Sequence, residues 1–170
     1  ATLVNGASWD AGYFTNGLVF DGGVDFVTVG EPSELDFIGD EDAFTLSAWV
    51  KIVEGEQGTI MSKAIDTNAD RQYQLFVGGS APCGTIGANI GGQEKNWNTA
   101  ATMPCMTNNE WHHVLLKNYN DGGTFYFNIW VDGVMSSDGP WASGSSDNNG
   151  QDADVLIGAR ENNVGGQGFH

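Results

Sequence analysis

Two antiparallel β-sheets packed face to face are what this sequence predicts, and three observations predict it. Phe44–Ile52 (FTLSAWVKI) places Phe44, Leu46, Ala48 and Val50 on one parity and Thr45, Ser47, Trp49 and Lys51 on the other, the period of a strand lying on a core. Thr124–Asp132 (TFYFNIWVD) repeats the design with Phe125, Phe127, Ile129 and Val131, and Val24–Val29 is a shorter β-branched run. Glycine at 25 positions, proline at 4 and frequent Asp-Gly junctions supply the tight turns that many short strands need. A half-apolar sheet requires a second layer, so the fold class is all-β, an antiparallel β-sandwich.

The elements follow in order. Ala1–Asn5 reads as a short edge strand and Gly6–Gly17 as a polar loop studded with aromatic residues. Leu18–Phe20 and Val24–Val29 are joined by Asp21-Gly22-Gly23, where glycine permits a tight turn. Glu31–Asp42 is acidic and is anchored to a sheet edge by Leu35, Phe37 and Ile38. Strands are expected over Thr59–Lys63, Gln72–Val77 and Thr85–Ile90, with a polar loop at Ala64–Arg71 and a long irregular stretch at Gly91–Asn109. Trp111–Lys117 and Thr124–Asp132 flank Asn120-Asp121-Gly122-Gly123 and form a hairpin. Asp132-Gly133 turns into Val134–Ser136, Ser137–Asp152 is a loop interrupted by Trp141, and Val155–Gly158 is the last strand before a glycine-rich tail.

At 170 residues the chain reads as one domain over residues 1–170, large enough to bury about 70% of its unfolded surface. Six Lys and Arg against 22 Asp and Glu give a formal charge of -16, which repels phosphate backbones and anionic headgroups, so neither nucleic acid nor membrane is expected as a partner. No apolar run approaches the length of a membrane-spanning helix, and the chain opens without the cationic and apolar regions of a signal peptide. Cys83 and Cys105 stand 22 positions apart in Pro-flanked polar stretches. They read as a disulfide, with two free buried thiols as the alternative, and a disulfide implies an oxidising compartment.

Three kinds of chemistry are open to these residues. Glu34-Leu35-Asp36-Phe37-Ile38 resembles the start of the paired-carboxylate motif of jelly-roll glucanases, but its third carboxylate is missing, so hydrolysis is the lesser reading. His112 and His113, adjacent on a strand, point to opposite faces and do not share a metal. Abundant turn carboxylates suit calcium, with Asp21, Asp25 and Asp121 as candidate ligands for a structural ion, although each taken singly reads first as a turn former. The strongest pattern is aromatic. Trp97, Asn98 and Trp141 fall in polar stretches, Tyr126, Asn128 and Trp130 share the hairpin face opposite the core, and Arg71 stands at the mouth of a strand carrying Gln72 and Gln74. Indoles stack on the C–H faces of sugar rings, and amides and guanidinium bind hydroxyls. Trp49 is expected to be covered by a loop.

The order of segments resembles the laminin-G-like, or concanavalin A-like, lectin/glucanase superfamily. The resemblance is carried by Gly17-Leu18-Val19-Phe20-Asp21-Gly22, Asp25-Phe26-Val27-Thr28-Val29, Phe44-Thr45-Leu46-Ser47-Ala48-Trp49-Val50, Trp111-His112-His113-Val114, Trp130-Val131-Asp132-Gly133 and Val155-Leu156-Ile157-Gly158. It implies a concanavalin A-like jelly roll, secreted or at the cell surface, frequently calcium-bearing, and serving as an accessory module beside catalytic or adhesin domains. Members bind glycans or proteins through loops or a concave face. The expected function is therefore a noncatalytic carbohydrate-binding module recognising a polysaccharide or glycan, with a protein-binding or structural adhesin module and a jelly-roll glycoside hydrolase as alternatives. One departure is that the chain ends at Gly168-Phe169-His170 where the family's closing strand is expected.

Overall fold

The computed structural model describes residues 1–64, 71–78, 83–98, 105–145 and 153–160. The expected loop at Ala64–Arg71, the second part of Ser137–Asp152 and the tail to His170 lie largely or wholly outside the described residues, as does the question of the closing strand. In chain order the strands are β1 (Thr2–Val4), β2 (Ser8–Ala11), β3 (Asn16–Val19), β4 (Phe26–Gly30), β5 (Phe44–Lys51), β6 (Gly58–Ala64), β7 (Arg71–Gly78) and β8 (Thr85–Ile90). There follow β9 (Gln93–Asn98), β10 (Trp111–Asp121), β11 (Thr124–Val131), β12 (Val134–Met135), β13 (Trp141–Ala142) and β14 (Val155–Ile157). A single 3-10 turn at Ser33–Leu35 is the only helical element among the described residues, and no helix there is long and apolar enough to cross a membrane.

One sheet has seven strands in the order β1-β4-β14-β6-β7-β8-β9, the other has five, with β12-β11-β10-β5 in sequence and β13 added to β11. Every pairing is antiparallel, as the expected fold class requires. In the five-stranded sheet Leu116 of β10 lies opposite Leu46 of β5 and Ile129 of β11, and Val114 lies opposite Ala48 and Val131. This alternation faces Tyr73, Leu75 and Val77 of β7 and Ile86, Ala88 and Ile90 of β8 across a closed apolar core. Each fully buried aliphatic or aromatic side chain there contributes about 1.5–3 kcal/mol.

The acidic segment before β5 is anchored as its apolar residues predict. Phe37 stacks on Phe44, centroids 4.7 Å apart, while buried Asn118 donates to the carbonyls of Gly39 and Asp42, each at 2.7 Å. Asp36 meets the Nζ of fully buried Lys63 at 2.7 Å, and removing either partner would leave a buried polar group unmatched. Burial, with the Asp36 charge beside it, pushes the Tyr73 phenol well above its ordinary value.

Three segments depart from the sequence reading. Gly6–Gly17 is no loop: β2 and β3 form a two-stranded ribbon. Gly91–Asn109 contains β9, hidden in the sequence because Gln-Glu-Lys-Asn-Trp-Asn has one apolar residue and thus no visible period. Trp141 lies in the short strand β13, which continues the five-stranded sheet beside Phe127. Cys83 and Cys105 form the expected disulfide, and the Met106 amide donates to the Cys83 carbonyl at 3.1 Å beside it.

Candidate functional site

Strand parity divides the expected sugar contacts among three places. Trp97 is the clearest correction: its indole is 1% exposed and belongs to the core. On β9 it pairs with fully buried Ile86 and shares its inward face, so it is no exposed platform. Asn98 closes β9, and its side chain lies outside the described residues. Trp141 is half-buried and packs on Phe127 with ring centroids 5.5 Å apart, which leaves only part of its indole to a ligand. Tyr126, Asn128 and Trp130 do share the outer face of β11, since Phe127, Ile129 and Val131 are fully buried. That face is partly roofed: Asn128 is buried, Tyr126 sits opposite Tyr119, and Trp130 sits opposite Leu115 and Met135. Arg71 belongs to the other sheet. These residues therefore do not make one site.

The outer face of the seven-stranded sheet has a different character. Tyr73, Leu75 and Val77 point inward, so Gln72, Gln74 and Phe76 point outward. The register then sets Ser62, Gln74, Asn89 and Glu94 side by side across β6, β7, β8 and β9. The neighbouring row is Thr59, Phe76, Gly87 and Asn96. Gly87 is required there, because a side chain at that position would collide with the Phe76 ring and Asn96.

A cavity of about 200 Å³ opens on this face between Thr59, Arg71, Gln74, Phe76, Glu94 and Arg160. Arg71 is 5% exposed and donates from Nη1 to Glu94 Oε2 at 2.8 Å, yet its Nε has no partner. Gln74, 4% exposed, donates to Thr59 Oγ1 at 2.7 Å and leaves its Oε1 unpaired. The amides of Gln72 and Asn89, both buried, also lack partners. Buried polar groups are nearly always hydrogen-bonded, because leaving one unpaired costs about 1–3 kcal/mol. Such a concentration on one sheet face is what a site for a hydroxyl-rich ligand requires. Sequence reasoning had the signal in part: Gln72 and Gln74 alternate in a strand whose other residues are mainly apolar. Glu94, Phe76 and Arg160 were missed, since β9 was not visible and Arg160 is far away in sequence.

The candidate metal ligands are divided too. Asp25 is buried and accepts from the Gly6 amide at 2.7 Å and the Asp21 amide at 2.9 Å. Its carboxylate also bonds that of Asp21, which raises the Asp21 pKa, and the Asp21 amide leads the contacts that lower that of Asp25. Two carboxylates held this closely form an all-oxygen pair of the type a hard cation prefers. Asp121 is instead the exposed last residue of β10, paired with Thr124 where the chain turns into β11. Among the described residues no three His, Cys, Asp or Glu side chains converge on one point, and Asp121 stands apart from the Asp21–Asp25 pair.

The remaining polar constellations are structural in geometry. Buried His112 meets Asp132 Oδ2 at 2.7 Å through Nδ1 and Asn108 Oδ1 at 3.0 Å through Nε2. His113 faces the opposite way and bonds Ser47 at 2.7 Å. Glu34 lies in the 3-10 turn and Asp36 is bound to Lys63, so the glucanase-like pair does not project from one strand face. Trp49 is covered, as expected, by Tyr13 from the β2–β3 ribbon, rings stacked at 3.7 Å and 8°. Phe14 and Trp9 on that ribbon are 78% and 61% exposed.

Two antiparallel sheets packed about the main apolar core define a β-sandwich. A laminin-G family model described as concanavalin A-like lectin/glucanases superfamily matches residues 21–170. The chain belongs to that superfamily. A comparison with curated proteins finds no match.

Proposed function

We propose that the chain is a noncatalytic carbohydrate-binding module of a secreted or cell-surface protein, and that the sugar docks on the outer face of the seven-stranded sheet. The observation that carries this reading is the cavity lined together by Arg71, Gln74, Thr59 and Phe76. Planar polar groups beside an aromatic face are what recognition of a pyranose demands. Binding is favoured over hydrolysis because a glycosidase needs two carboxyl groups about the scissile bond, and Glu94, ion-paired to Arg71, is the only one among the described lining residues. The Cys83–Cys105 disulfide supports an oxidising location.

Calorimetric titration with a panel of soluble polysaccharides tests the reading. A saturable heat with one polymer, lost in Phe76→Ala and weakened in Gln74→Met at unchanged fold, is the expected result; no heat with any polymer from folded protein refutes it. The same mixtures assayed for new reducing ends test the absence of catalysis.

We further propose one structural calcium at Asp21 and Asp25, where a cation would relieve the repulsion within the pair. A melting temperature that does not change between calcium and chelator counts against it. A second reading, a protein-binding module, is favoured by the exposed Trp9 and Phe14 on the β2–β3 ribbon. Glycan binding that survives Trp9→Ser with Phe14→Ser separates that surface from the sugar site.

A further inference from the structure

Among the described residues, the charge lining the cavity runs against the charge of the chain. The whole sequence holds 22 acidic and 6 basic residues, and only two of the basic ones are arginines, Arg71 and Arg160. Both line this one cavity, together with a single described carboxylate, Glu94. No lysine lines it. A guanidinium offers a planar fork of donors that matches a carboxylate in two-point contact, which an ammonium does not. Arg71 uses Nη1 on Glu94 and still presents an unpaired Nε while 5% exposed. Gln74, beside it, provides a further fixed polar group. The volume of about 200 Å³ is below the roughly 300–1,000 Å³ of pockets that enclose drug-sized ligands, so it suits one sugar residue and not a run of them.

Resting on the carbohydrate reading above, we infer that the sugar taken by this cavity is acidic, a hexuronate whose carboxylate is held by Arg71 and Arg160 while its ring lies against Phe76. The acidic remainder of the surface repels polyanions at long range, so selectivity is confined to the cavity, where burial makes short contacts strong.

The test is calorimetry in the presence of EDTA, which removes calcium as a bridge between carboxylates. The ligands are a uronate oligosaccharide, its carboxyl-reduced neutral counterpart and a sulfated neutral oligosaccharide of the same length. The uronate is expected to bind at least about tenfold more tightly than the reduced form, the step a charge-assisted hydrogen bond supplies. Arg160→Gln should abolish that preference, read as the ratio of uronate to neutral affinity measured on the same variant, with circular dichroism reporting the fold. Because Arg71 is buried and ion-paired, Arg71→Lys is the second variant: it keeps the charge, loses the fork and should lose most of the preference, with circular dichroism reporting the fold. Equal affinity for the uronate and its reduced form, a preference for the sulfated sugar, or a uronate preference that survives Arg160→Gln each overturn the inference. Binding of neutral sugar alone overturns only this inference; absence of binding to every sugar overturns the carbohydrate reading itself.

Discussion

Replacing Trp97 separates a core residue from a ligand platform. Its indole is 1% exposed and packed in the cluster that includes Ile86, Leu75 and Leu116. Truncation of a buried Trp to Ala costs about 3–5 kcal/mol, combining lost transfer energy with the cavity left behind. Domains have about 5–15 kcal/mol in total, so Trp97→Ala retains a fold but a much weaker one. For chains of this size each kcal/mol moves Tm by about 2–4 °C, and the expected fall is therefore about 10 °C. Trp97→Phe, which keeps an aromatic ring in the slot, should lose distinctly less. Melting curves by circular dichroism measure the change, and glycan affinity measured well below Tm should match the parent in both variants. If Trp97→Ala melts within about 2 °C of the parent, well short of the loss expected for a core Trp, and fails to bind glycan, the indole lies at the ligand surface and the reasoning is wrong.

The other predictions concern the disulfide, the carboxylate pair and the polar face. Replacing Cys83 and Cys105 by Ser opens a loop with a sequence separation of 22, and chain-entropy reasoning gives a loss of about 3 kcal/mol, read by urea unfolding with and without reductant. In chelator at neutral pH, Asp21→Asn should raise Tm, because it removes a charge that Asp25 repels. The pH dependence follows from the two shifts. The lowered Asp25 pKa gives stability that is present above the ordinary carboxylate value and lost as pH falls through the lowered one; the raised Asp21 pKa gives stability present below the ordinary value and lost as pH rises through the raised one. The pair is thus best accommodated with one shared proton, between those two values, and a Tm–pH profile in which Asp21→Asn gains nothing at neutral pH would count against it. Gln74→Met should weaken sugar binding while changing Tm by only a few degrees, since it removes one unpaired buried oxygen and one hydrogen bond together.

How much of this was legible depends on where the apolar residues stand. β5 and β11 announce themselves because alternate positions are apolar and the core takes that parity, as buried Leu46, Phe127 and Ile129 show. β9 and the β2–β3 ribbon do not, because their pairing is maintained by neighbours while their own side chains are mostly polar or exposed. Missing β9 explains the misplacement of Trp97: in a loop an indole among Asn residues reads as a platform, whereas on a strand its parity with Ile86 sends it inward. The site was half legible for the same reason. Gln72 and Gln74 could be put on one face from their spacing alone, but Glu94 and Arg160 join them only through register between strands, and Tyr126 and Trp130 share chemistry with Arg71 without sharing a sheet.

The position of β14 has a consequence in time. Val155–Ile157 lies between β4 and β6, so the strand made last among those described separates the N-terminal pair β1-β4 from the rest of the larger sheet. During synthesis β4 has no neighbour on that side until more than 120 residues later, when Thr28 also meets Asp154 through a 2.7 Å hydrogen bond. Closing a loop of that length precedes any reward from the contact, which makes the topology slow to fold. A ribosome releasing this chain therefore delivers two incomplete half-sheets with open edges, and their union is a late event, exposed in the interval to mispairing with other chains.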